Sequence, residues 1–154
     1  MLPKHILVPT DLSEGAEQAL DYACELARML GAQVHLLNVI SIPALGIPEL
    51  GVALTASMID DLVTGNQDAI DQLARARCTA KVGQVMVRTG DARDVINQTA
   101  TELGADLIVM GTHGRRGLSR ALLGSVAENV VRTAPCAVLT VRLRDVHRSD
   151  RDAA

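Results

Sequence analysis

The clearest chemical pattern in the chain is the stretch MGTHGRRGLSRALLGSV, from Met110 to Val126. Gly111, Gly114 and Gly117 recur at every third residue behind the apolar run DLIVM, and Gly124-Ser125 heads a second apolar stripe. Fixing a glycine costs backbone entropy, so such a cluster needs a reason. Two reasons are open. Glycines let a helix pack closely on a sheet. They also let backbone N–H groups converge on one anion with no side chain in the way, and a helix start behind them adds a partial positive charge. That dipole contributes ~0.3–1 kcal/mol per charge and up to about 2 when partly buried. Several N–H bonds would have to supply the rest of a phosphate's binding. The P-loop pattern GxxxxGK followed by Ser or Thr is absent, and so is the dinucleotide fingerprint GxGxxG. A second polar group, Asp11, follows the first apolar run in PTDLSE. DLSE reads as a capping box, with Asp11 accepting a helix N–H and Glu14 returning the bond. Alternatively Ser13 is the cap and Asp11 is left to a ligand.

Nine elements must position these groups. Short runs rich in Val, Ile and Leu at residues 5–10, 33–40, 81–90, 106–110 and 136–142 read as buried strands. Between them, residues 13–31, about 55–77, 91–104 and 118–133 place apolar side chains at helical spacing. Asp91 is a good N-cap, Gly31 and Gly104 suit left-handed C-caps, and Gly65 permits a kink. Strict alternation of strands and helices predicts a doubly wound α/β fold with a parallel sheet covered on both faces. Ligands of such folds bind beyond the carboxyl ends of the strands, where the strand order reverses. Pro9-Thr10-Asp11, Asn38-Val39-Ile40 and the glycine loop all reach that place. Residues 41–57, with two prolines and two glycines, read as a long connection.

The 154 residues fit one domain, expected over 1–143 with a polar tail at 144–154. With one Tyr, no Phe and no Trp, the core must be aliphatic, and base stacking on aromatic platforms is disfavoured. A net charge of −3 provides no basic field for nucleic acid. Cys24, Cys78 and Cys136 form no CxxC pair and read as small buried hydrophobes with no disulfide framework, which suits a reducing cytoplasm. His5, His35 and His147 show no metal-ligand spacing. The N-terminus lacks the apolar stretch of a signal peptide, and no run is long enough to span a membrane, so a cytoplasmic location is expected.

The wider spacing, Gly111, two residues, Gly114, nine residues, then Gly124-Ser125, resembles the universal stress protein family, whose ATP-binding members carry G-x2-G-x9-G-(S/T). ILVPTDLSEGAEQAL resembles the family's first strand and helix. The segment LGADLIVMGTHGRRGLSRALLGSVAENVVRTAPCAVLTVR resembles its C-terminal third. The resemblance implies a Rossmann-like five-stranded parallel sheet in the order 3-2-1-4-5, binding ATP (or AMP or ADP), with Mg2+ as a further ligand. By position, Pro9, Thr10 and Asp11 would lie near the adenosine, with Asp11 at the ribose or the metal. Val39 would meet adenine, and Met110 and Gly111 would flank the nucleoside. His113, Gly114, Gly124, Ser125 and Val126 would approach the phosphates. Gly117 falls outside this spacing and shapes the turn. Arg115, Arg116 and Arg120 either clamp phosphates or are solvated loop charges.

The family resemblance further implies a homodimer joined through the last strand, Ala137 to Val141, acting in stress response through a protein partner not identifiable from sequence. No catalytic base with an orienting partner can be named, so binding with slow or negligible turnover is expected. The alternatives are an interaction scaffold of the same fold, a slow ATP-hydrolysing enzyme, or a related adenine-nucleotide or flavin enzyme.

Overall fold

A computed structural model describes residues 2–41, 56–112 and 123–142. Five strands, β1 (His5–Pro9), β2 (Gln33–Ile40), β3 (Lys81–Thr89), β4 (Leu107–Gly111) and β5 (Ala137–Val141), form one all-parallel sheet in the order β3-β2-β1-β4-β5. The helices are α1 (Glu14–Leu30), α2 (Ala56–Arg77), α3 (Ala92–Leu103) and α4 (Ser125–Thr133). The doubly wound expectation is therefore met in architecture and in strand order.

Period-two alternation along the strands divides the core between the two faces. Ile6, Val8, Leu36 and Val109 pack under α1 and α2, against Leu20, Ala23, Ile70 and Ala74. Leu7, Leu37, Ile108 and Met110 pack under α3 and α4, against Ile96, Ala100, Ala127 and Val130. Each large aliphatic side chain so buried stabilises the fold by about 1.5–3 kcal/mol. With no large aromatic to fill space, the helices come close. Alanines at 16, 19, 23 and 27 line the buried stripe of α1.

The caps follow local chemistry. Gly31 and Gly104 hold left-handed conformations with φ of 66° and 59°. Asp91 caps α3 by accepting the N–H of Arg93, and its carboxyl is lowered to about 2, chiefly by the Arg93 side chain. Ser13, not Asp11, caps α1, its hydroxyl accepting the N–H of Ala16. Helix α2 runs through Gly65 without a break. The last predicted helix is shorter than expected. Leu123 and Gly124 are non-helical, Gly124 is its N-cap, and residues 118–122 lie outside the described residues.

The cysteines correct the sequence reading. Cys24 and Cys78 are joined in a disulfide, with Cα atoms 5.5 Å apart. Fifty-four residues separate them in sequence, so only the docking of the end of α2 against α1 brings them together. A tie across such a loop stabilises by roughly 2–4 kcal/mol. Cys136 stays a free thiol on the opposite face, and burial raises its pKa.

A second cluster was not legible either. Between Val34 and Leu36 the β2–β3 register slips, so that His35 faces both Gly83 and Gln84. His35 is buried, accepts the Gln84 N–H on Nδ1 at 3.0 Å, and places Nε2 3.2 Å from Nδ1 of His5. Gln33 reaches the same His5 nitrogen at 2.8 Å. The pKa of His35 is lowered from 6.5, first by burial and then by repulsion from His5. Between that lowered value and 6.5 the unfolded chain binds the extra proton, so this contribution to stability is complete above about pH 6.5 and is lost as pH falls below it. Thermal melts at pH 7.5 and 5.5 should show a larger drop for the native chain than for His35→Gln. Equal drops would show that His35 does not carry the dependence.

Candidate functional site

The strand order reverses between β1 and β4, and among the described residues Thr10 and Asp11 follow the end of β1 while Gly111 ends β4. On the β1 side the turn into α1 is built from its own polar side chains. Thr10 donates its N–H to the Leu37 carbonyl at 2.8 Å, and its hydroxyl accepts the Leu12 N–H at 3.1 Å. One oxygen of Asp11 accepts both the N–H and the hydroxyl of Ser13. Leu12 is held at φ 63°, the one described non-glycine residue with positive φ. That conformation costs of order 1 kcal/mol or more and persists only where the surroundings enforce it.

Asn38, read from the sequence only as part of the strand end Asn38-Val39-Ile40, supplies part of that enforcement. It is buried at the end of β2, and its Nδ2 donates to the Thr10 carbonyl at 2.8 Å. Its Oδ1 is buried and meets no hydrogen-bond partner among the described residues. Asn38→Ala leaves the Thr10 carbonyl unpaired and should cost about 1–2 kcal/mol in chemical denaturation. The amide resonances of Leu12 and Ser13 should move with it. Unchanged resonances would show that the turn holds itself.

On the β4 side, Met110 turns its side chain into the core, so the main chain is what faces the crevice. Gly111 closes the strand against the first turn of α1: a Cβ there would lie 3.1 Å from the Gly15 carbonyl oxygen and 3.2 Å from its carbon. A side chain there would need the Gly15 backbone to give by a few tenths of an ångström, so close packing is one reason for glycine at this position. Thr112 accepts the Gly124 N–H at 2.7 Å, which pins the start of α4 to the end of β4. Gly124 has no side-chain cap to offer, and Ser125 is exposed. The first N–H groups of α4 thus open beside the end of β4 with no side-chain cap among the described residues and the positive end of the helix dipole behind them.

Pro9 is buried in β1, and Val39 is half-buried and packs toward the α3–α4 core. Thr10, Asp11, Gly111, Gly124 and Ser125 therefore lie at the carboxyl ends of β1 and β4 and at the start of α4, while Val126 packs its side chain toward the α3–α4 core. His113, Gly114, Gly117, Arg115, Arg116 and Arg120 lie outside the described residues, as do residues 42–55 of the long connection and the tail from 143.

The model of the universal stress protein family matches residues 3–142. The chain belongs to this family. Universal stress protein MJ0531 of Methanocaldococcus jannaschii is 35% identical over 146 residues, spanning 92% of this chain and 83% of the relative. Among solved structures, the universal stress protein UspA from Lactobacillus plantarum superposes with a TM-score of 0.77 at 29% identity, covering 90% of this chain and 97% of its own. A universal stress protein from Archaeoglobus fulgidus, solved in complex with dAMP, gives 0.59 at 27%, covering 91% and 98%. Among the described residues no helix is long and apolar enough to cross a membrane.

Proposed function

We propose that this universal stress protein binds an adenine nucleotide, ATP in the first instance, in the β1–β4 crevice and acts in the cytoplasm as a nucleotide-dependent regulatory dimer. The observation that carries the reading is the start of α4. Ser125 and Val126 open the helix with backbone N–H groups that no side chain caps among the described residues, held in place by the Gly124–Thr112 bond. This is the geometry that receives phosphate oxygens. The dAMP complex of the Archaeoglobus fulgidus relative supports the choice of base.

In this reading the Thr10–Asp11 turn meets the ribose, Val39 the adenine, and Ser125, Val126, His113 and Gly114 the phosphates. Mg2+ is held by few protein carboxylates together with substrate phosphates, which matches the single acidic residue, Asp11, nominated here. The exposed side of β5, Ala137–Val141, is the sheet edge that a second copy would cover.

A scaffold that uses the same glycines only for packing is the second reading, favoured by the contact between Gly111 and Gly15. Mass spectrometry of small molecules released by denaturing the purified protein separates the two. Stoichiometric AMP, ADP or ATP is expected. A preparation that releases none, and takes none up on incubation with millimolar ATP, favours the scaffold.

A further inference from the structure

We propose that Cys24 and Cys78 form a reversible redox site that clamps α2 to the sheet, exchanging with low-molecular-weight thiols and disulfides of the glutathione class. The two sulfurs differ in access. Cys24 is 2% exposed within the buried stripe of α1, whereas Cys78 is half-buried just beyond the end of α2. An incoming thiolate therefore attacks the Cys78 sulfur. The Cys24 sulfur leaves as a thiolate and takes up a proton. A second thiol then attacks the mixed disulfide, releasing the Cys78 thiol and a small-molecule disulfide. Two external thiols are oxidised and one cystine is reduced, and the reverse sequence re-forms the bond. Disulfides in a reducing compartment are usually transient or sensing, not structural.

The clamp matters because α2 is anchored mainly in its C-terminal half. Ile70 and Ala74 are buried there, Leu73 packs beside them and Gln67 donates to the Val85 carbonyl at 3.3 Å, while Met58 and Leu62 are 42% and 44% exposed. The neighbouring ion pairs of Arg77 with Glu17 and Asp21 lie at the surface, where such pairs are worth little. Reduction therefore releases α2 first. Cys136 takes no part, because it packs on the other face of the sheet, under α3 and α4.

The test uses the full chain without nucleotide, so its outcome is independent of the proposed ligand. Protein equilibrated in glutathione buffers should pass between a Cys24–Cys78 cystine and two alkylatable thiols by peptide mapping. Reduction should lower the melting temperature by roughly 5–15 °C and speed hydrogen exchange in α2 more than in α3 or α4. Cys136→Ser should keep the full response, and Cys78→Ser should abolish it. The proposal is overturned if the wild-type chain shows no cystine at an oxidising glutathione ratio. It is equally overturned if oxidised and reduced protein melt together with the same α2 exchange.

Discussion

Ser125→Asp is expected to raise the melting temperature of the ligand-free protein while weakening ATP binding at least tenfold. Ser125 is the first residue of α4, exposed, behind an N-cap that has no side chain. A carboxylate there meets the positive end of the helix and should stabilise by ~0.3–1 kcal/mol, a rise of about 1–3 °C for a domain of this size. A bound phosphate would sit against the same N–H groups. Two like charges 4 Å apart repel by about 4 kcal/mol at the effective dielectric of a protein surface, and a third of that is already tenfold in affinity. Salt and exposure reduce the repulsion but do not reverse it. The opposite signs are the useful feature: a merely structural α4 start predicts the stability gain alone. Melting curves and calorimetry on the same preparation would decide.

Gly83→Val should destabilise the fold by about 3 kcal/mol, with no ligand present. A Cβ at position 83 would lie 2.4 Å from Cε1, 2.6 Å from Nδ1 and 3.0 Å from Nε2 of His35. That ring is buried and tethered on both nitrogens, so it has little room to give. Forcing extra methyl groups into such a site costs about 1–3 kcal/mol, and a branched residue belongs at the upper end. The cost arises from one neighbour, so it should largely disappear in a His35→Ala background. Urea denaturation of the four members of this cycle tests it. An additive result would place the strain elsewhere.

What could be read from the sequence was what is written locally. Gly31, Asp91 and Gly104 cap their helices because a cap depends on three or four adjacent residues. The strand order followed from a resemblance, and the two-faced core from unbroken runs such as ILV at 6–8. What escaped was set by packing between distant elements. The Cys24–Cys78 bond depends on how α2 docks, and the His35–Gly83 contact depends on a bulge that no periodicity reveals. The partner of Asn38 was invisible because a polar residue inside an apolar run gives no sign of which carbonyl it will meet. Gly111 was nominated for the ligand, yet the close approach of Gly15 supplies a packing reason for it. Of the two purposes that the sequence left open for the glycine pattern, packing accounts for Gly111.

The account is tested most directly by titrating nucleotide-stripped protein with ATP and with AMP in a calorimeter. It predicts saturable heat for one site per chain, with a dissociation constant below about 1 mM, or −4.1 kcal/mol, and loss of that heat in Ser125→Asp. A flat trace at millimolar nucleotide from a preparation that still melts cooperatively would contradict it.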